Sequence, residues 1–120
     1  MAKLLVVDDS STIRTLLSRA LLEDGHEVVE APNGSAGLRC LREEPGLQAA
    51  IVDVHMPDMG GIDMLEAWAG AGRLAMPVFV LSAESGDPMV ERARALGVAA
   101  WFVKPVDLVA LRNALRHHLT

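Results

Sequence analysis

Ala49-Ala-Ile-Val-Asp-Val-His-Met-Pro-Asp-Met-Gly-Gly61 opens on four apolar residues, meets one carboxylate at Asp53, and breaks at Pro57 and Gly60-Gly61. A short apolar run bounded by turn residues predicts a fully buried strand. Asp53 then stands where a core strand emerges from the protein. A charge in that place is costly to desolvate and calls for a cationic partner or a metal ion.

Working outward, Lys3 to Val7 is a compact Leu and Val run that ends at Asp8-Asp9. Ser10, Ser11 and Thr12 offer helix N-caps. Ile13, Leu16, Leu17, Ala20 and Leu21 follow the stripe of an amphipathic helix, which Gly25 stops. His26 to Ala31 is a second, more polar strand, expected at a sheet edge. Pro32-Asn33-Gly34 turns the chain. Ser35 to Glu44 reads as a helix weakened by Gly37 and closed by Pro45-Gly46.

Past Gly61, residues 62–71 are expected to be helical, with Leu65 and Trp68 facing inward. Pro77 to Leu81 is a fourth strand, followed by Ser82. Asp87 is read as the cap of a helix that opens at Pro88 and ends at Gly97. Val98 to Val103 is a fifth strand, running into Lys104-Pro105. Asp107 caps the last helix, whose buried stripe is Leu108, Leu111, Leu115 and Leu119. Arg112, Arg116, His117 and His118 lie toward its C-terminus, where bases complement the helix dipole.

Strands and helices that alternate in this way predict a doubly wound α/β fold, a parallel sheet with helices on both faces. Parallel strands share one carboxyl edge. Asp8 and Asp9 follow the first strand, Asp53 ends the third, Ser82 follows the fourth and Lys104 the fifth, so these side chains converge on one rim. Ligands of open α/β sheets bind at that rim. The second strand brings no comparable group, which fits a peripheral place in the order 2-1-3-4-5.

The 120 residues are expected to form one domain, spanning 1–120. A chain of this size buries roughly two-thirds of its unfolded surface and needs no disulfide staple. With 2 Trp, 2 Phe and no Tyr, the core must be built from Leu, Val, Ala and Met, including Met56, Met59 and Met64. The balance of 16 acids to 11 bases leaves a net charge of -5, which speaks against nucleic acid as a ligand. The single Cys40 fits a reducing compartment and reads as a small core residue. No run has the ~18 apolar residues of a membrane span, and acids interrupt the N-terminus where a signal peptide would be apolar. We expect a cytoplasmic protein with no membrane insertion.

Asp8, Asp9 and Asp53 packed together would repel, each raising its neighbours' proton affinity. A hard divalent cation relieves that repulsion, and Mg²⁺ commonly takes one or two carboxylates, several waters and a phosphate oxygen. Lys104 is a compact charge suited to Asp53 or to an anion beside it. Ser82 is a neutral donor for a phosphoryl oxygen. A carboxylate nucleophile, a metal, a lysine and a hydroxyl make equipment for phosphoryl transfer.

Asp8-Asp9, the segment Asp53 to Gly61, Ser82-Ala83 and Lys104-Pro105 together resemble a response-regulator receiver domain of two-component signalling, of the single-domain chemotaxis type. The resemblance spans nearly the whole chain and implies a flavodoxin-like fold of five strands and five helices. It implies that Asp53 accepts a phosphoryl group from a phosphohistidine of a histidine kinase or histidine phosphotransfer protein. Asp9 and Asp53 would ligate Mg²⁺ (Mn²⁺ in its place), with Asp8 acting through water and the His55 backbone carbonyl as a further ligand. Lys104 would grip the phosphoryl group, Ser82 would move to bond it, and the Lys104–Pro105 peptide would be cis.

The same resemblance places a switch aromatic at Trp101, where the family usually has Tyr or Phe. His55, Ala83 and Glu84 occupy positions that modulate phosphoryl lifetime. A downstream protein would be met by the face of Met89 to Leu96, Trp101 and the last helix. Such a domain is not an enzyme in the ordinary sense, catalysing only its own phosphorylation and dephosphorylation. The alternative is a receiver-like interaction module that works without phosphorylation. A free-standing aspartyl-phosphate phosphohydrolase lacks a cap or substrate segment. A dinucleotide-binding fold lacks G-x-G-x-x-G after the first strand. Because the sequence stops at Thr120, just after the last helix, no attached output domain is expected unless the chain is part of a longer one.

Overall fold

The apolar runs become strands β1 (Lys3–Val7), β2 (Glu27–Ala31), β3 (Leu47–Asp53), β4 (Val78–Ser82) and β5 (Ala100–Val103) in a computed structural model that describes residues 1–83 and 86–119. Between and after them come helices α1 (Ser11–Glu23), α2 (Gly34–Glu43), α3 (Gly61–Ala69), α4 (Val90–Leu96) and α5 (Leu108–Leu119). All strand pairs are parallel, in the order β2-β1-β3-β4-β5. The doubly wound arrangement expected from the alternation, and the flavodoxin-like fold that the resemblance implies, are the ones observed.

Strand side chains alternate between two faces, and each face builds its own core. Leu5, Val7, Ala50, Val52 and Val80 pack with Leu41 of α2, Leu65 of α3 and Leu96 of α4. Leu4, Val6, Ile51, Phe79 and Leu81 pack with Leu17 and Leu21 of α1 and Leu111 and Leu115 of α5. The central strands β1, β3 and β4 are buried on both sides, whereas β2 exposes Glu27 and Glu30 as an edge strand should. Among the described residues, no helix is long and apolar enough to cross a membrane.

Several local expectations are corrected. Leu16 is half-exposed rather than part of the buried stripe of α1. Residues 13, 17, 20 and 21 already close the face toward the sheet, and Leu16 is turned about 100° from Leu17. His26 precedes β2 instead of joining it, and its Nδ1 accepts the Ala2 N–H at 3.1 Å. Most consequentially, α4 begins at Val90 rather than Pro88, with Met89 at the cap position and no side-chain cap. Asp87 lies before that start: its Oδ1 accepts the Met89 N–H, while its Oδ2 is taken up by Ser82 and His55. Residues 62–71 also stop short of the expected length, since Gly70 ends α3 at φ 65°.

Gly37 has a role beyond weakening α2. A Cβ there would stand 2.6 Å from Met64 Sδ and 3.0 Å from Val7 Cγ2, so its absence lets α2 lie close on α3 and β1. Asn33 caps α2 through its Oδ1, which accepts the Ala36 N–H at 2.8 Å. The expected cap of α5 is present, with Asp107 Oδ1 accepting from Val109 at 2.9 Å. Arg112 does more than complement the helix dipole: it pairs with Asp24 at 3.0 Å and donates to the Ala20 carbonyl, docking α5 on α1.

Candidate functional site

The carboxyl ends of β1, β3 and β5 deliver Asp8, Asp53 and Lys104 to one place. Asp8 is fully buried and Asp53 is 4% exposed. Lys104 Nζ stands 3.2 Å from Asp8 Oδ2 and 3.2 Å from Asp53 Oδ1. The backbone holds the lysine there, since its N–H donates to the Ser82 carbonyl at 2.7 Å and ties β5 to β4. Asp8 is held by the Ser10 N–H on Oδ1 at 2.9 Å, while Arg14 donates to its carbonyl at 2.7 Å. The Lys104–Pro105 bond is cis.

Asp53 is pressed from behind by α3. A Cβ on Gly61 would fall 2.1 Å from the Asp53 carbonyl oxygen, so the helix start can sit against this backbone only because residue 61 has no side chain. Burial and the neighbouring Asp8 charge push the Asp53 carboxyl up to about 6, against the pull of Lys104. Burial works against the Lys104 charge, but Asp53 and Asp8 outweigh it and raise the ammonium's pKa.

The donor set suits a small divalent cation. Asp8, Asp9 and Asp53 each offer an oxygen within 4.8 Å of the others. Asp9 is exposed, leaving the cluster open to solvent on one side. Asp8 Oδ2 is buried, ion-paired with Lys104 Nζ at 3.2 Å and bonded to nothing else among the described residues, so it keeps a lone pair available. An all-oxygen set with an open side is what Mg²⁺, which retains waters, requires. Beside it lies a cleft of about 540 Å³ lined by Asp9, His55, Pro57, Asp58, Asp63 and Met89.

A second cluster adjoins the first. Ser82, fully buried, donates its hydroxyl to Asp87 Oδ2 at 2.9 Å. The His55 Nε2 lies 2.5 Å from the same oxygen, and the Met89 N–H donates to Asp87 Oδ1 at 2.9 Å. An ionised carboxylate only accepts, so Nε2 carries the hydrogen. Burial pushes the Asp87 pKa up, but the bonds from Met89, His55 and Ser82 outweigh it and hold the carboxyl low. Asp87 itself is 2% exposed. From the sequence this residue reads as a helix cap, since Asp-Pro is a sound capping signature. Its link to His55, 32 residues away, leaves no local trace.

Trp101 is half-buried against the core beneath α3 and α4, and its Nε1 has no hydrogen-bond partner among the described residues. Ala83 is exposed, and Glu84 lies outside the described residues. Cys40 is half-buried, and burial raises its thiol. His118 packs edge-on against Phe79, with ring centroids 5.3 Å apart.

Comparison with known proteins agrees with this geometry. The family model of the response regulator receiver domain matches residues 4–116. Two-component response regulator ORR21 of Oryza sativa is 36% identical over 116 residues, 96% of this chain but only 16% of that protein. A chemotaxis protein CheY homolog of Campylobacter jejuni is 33% identical over 94% of this chain and 88% of its own. Among solved structures, chemotaxis protein CheY4 of Vibrio cholerae superposes with a TM-score of 0.86 at 31% identity, covering 99% of both chains. The chain belongs to the response regulator receiver domain family of two-component systems.

Proposed function

We propose that this receiver domain is a switch set by phosphorylation of Asp53. The observation that carries the reading is the placement of Lys104 Nζ 3.2 Å from both Asp8 and Asp53, beside a three-carboxylate cluster open to solvent. An Asp53 carboxylate oxygen attacks the phosphorus of a phosphohistidine on a histidine kinase or histidine phosphotransfer protein. The P–N bond breaks, its electron pair returns to the ring nitrogen, and that nitrogen takes a proton to leave neutral histidine. Lys104 holds the phosphoryl oxygens and offsets their charge, and Ser82 donates its hydroxyl to one of them. Asp9, Asp53 and the His55 carbonyl, with Asp8 through water, would hold Mg²⁺, which would neutralise the charge gathered on the transferred group.

Outside this self-modification the domain turns over no substrate. Phosphorylation biases an equilibrium between two arrangements of the β4–α4 side. The output is protein contact through the face of Met89 to Leu96, Trp101 and α5, where apolar groups border Arg94. Incubation with Mg²⁺ and a small acyl phosphate tests the reading. The parent should gain one phosphoryl group of mass, and Asp53→Asn none. Equal labelling of the two proteins rules Asp53 out as the acceptor.

A further inference from the structure

The carboxylate of Asp87 belongs to neither the metal cluster nor the acceptor, yet it is buried and holds hydrogen bonds from three segments. Ser82 ends β4, His55 lies in the loop after β3, and Met89 stands at the start of α4. A serine hydroxyl has one hydrogen. Here that hydrogen is donated to Asp87 Oδ2 at 2.9 Å, and it cannot serve a phosphoryl oxygen at the same time. We propose that Asp87 is a positioning residue that latches Ser82, and through it the start of α4, in the resting arrangement. The proposal rests on the reading of Asp53 as acceptor.

The bond is a strong one to displace. A hydroxyl donated to an ionised carboxylate is worth more than one donated to a neutral oxygen, and burial strengthens it further. His55 locks the acceptor from the solvent side, its ring 2.5 Å from the same Oδ2. The Met89 N–H on Oδ1 carries the restraint into α4. When a phosphoryl group takes the Ser82 hydrogen, Asp87 loses one of its donors and Met89 loses part of what holds it. Seated between the hydroxyl and α4, the latch therefore sets how much of the binding energy of a phosphoryl group goes into releasing that helix.

The isosteric Asp87→Asn variant isolates this effect. Its amide oxygen can keep the Met89 N–H, which turns the NH₂ toward Ser82 as a donor and toward His55 Nε2, which accepts once the ring hydrogen moves to Nδ1. The serine hydrogen is then freed without opening a cavity. With Mg²⁺ saturating, the affinity for beryllofluoride, read by Trp fluorescence, should rise about five- to twentyfold over the parent. Ser82→Ala should abolish that gain, so that Ser82→Ala and the double variant bind alike. This dependence is a readout that a merely structural role for Asp87 does not produce.

Affinity unchanged or lowered in Asp87→Asn, with a normal parent response, overturns the latch and leaves the acceptor reading standing. A gain that survives Ser82→Ala also overturns it. No Mg²⁺-dependent response in either the parent or Asp87→Asn overturns both, because Ser82 would then have no phosphoryl-like group to move to. Asp87→Ala serves as a second variant and should show the same direction of change.

Discussion

Lys104 stands 3.2 Å from Asp53 although β5 and β3 are not neighbours in the sheet. The lysine reaches across the end of β4 and brings its ammonium between two buried carboxylates. Its charge is what makes two acids tolerable in one desolvated place.

Removing that charge should therefore be destabilising in a pH-dependent way. Lys104→Met leaves Asp8 and Asp53 facing each other, and the folded protein should lose about 2–4 kcal/mol near neutral pH. Asp53 should then titrate above its present value of about 6. Lowering the pH protonates it and should restore most of the loss. Urea denaturation at several pH values checks this, and a deficit that does not shrink in acid counts against the electrostatic explanation.

Asp53 itself weakens the fold when ionised. Its pKa is about 6 in the folded protein against an ordinary value of 3.8. Between those values the folded state binds more protons than the unfolded one, so stability falls as pH rises through this window and stays lowered above it. Asp53→Asn removes the penalty and should be more stable than the parent by about 1–2 kcal/mol at pH 7 without divalent ions. Near pH 4 the two should converge. A less stable Asn variant at pH 7 contradicts the prediction.

Divalent binding should relieve the same repulsion. At a hundred times its Kd, Mg²⁺ should stabilise the domain by about 2.7 kcal/mol. Asp9→Asn, on the exposed side of the cluster, should lose most of that gain with little change in basal stability. Thermal unfolding with and without Mg²⁺ measures it, with K⁺ at matched ionic strength as the control. Equal Mg²⁺ stabilisation of parent and variant argues against Asp9 as a ligand.

Gly61 should tolerate no side chain. In Gly61→Ala the new Cβ meets the Asp53 carbonyl at 2.1 Å and Val52 Cγ1 at 2.7 Å, and the backbone atom cannot swing aside. We expect a loss of about 2–3 kcal/mol, typical of overpacking, together with slower phosphorylation as the β3 end shifts. Gly25→Ala is the comparison, since no atom lies within 4 Å of where its Cβ would stand and only its φ of 87° resists the change. Normal phosphorylation in Gly61→Ala shows that the close approach of α3 does not position Asp53.

Much of the site could be read ahead of the structure because its residues sit at strand ends. Asp8, Asp53 and Lys104 each follow or close an apolar run, and parallel strands must bring those ends to one edge. The topology needed no knowledge of side-chain contacts. The helix faces were readable to the extent that periodicity alone chooses them. Leu17, Ala20 and Leu21 are buried as expected, while Leu16 is not, because the width of the buried stripe depends on what α1 packs against.

Asp87 marks the boundary between the two kinds of information. Its neighbours, Pro88 and a following helix, give it a cap's signature, and a hydrogen-bond preference over two or three residues is all that local chemistry can express. In the folded chain Oδ1 keeps a bond of that local kind, from Met89, while Oδ2 serves Ser82 and His55. Turns, caps and periodic faces follow from interactions between residues close along the chain, so the linear order of amino acids suffices for them. Which donor reaches a buried acceptor depends on how separate loops are brought together by the packing of the whole sheet, and that is settled only when the chain is folded.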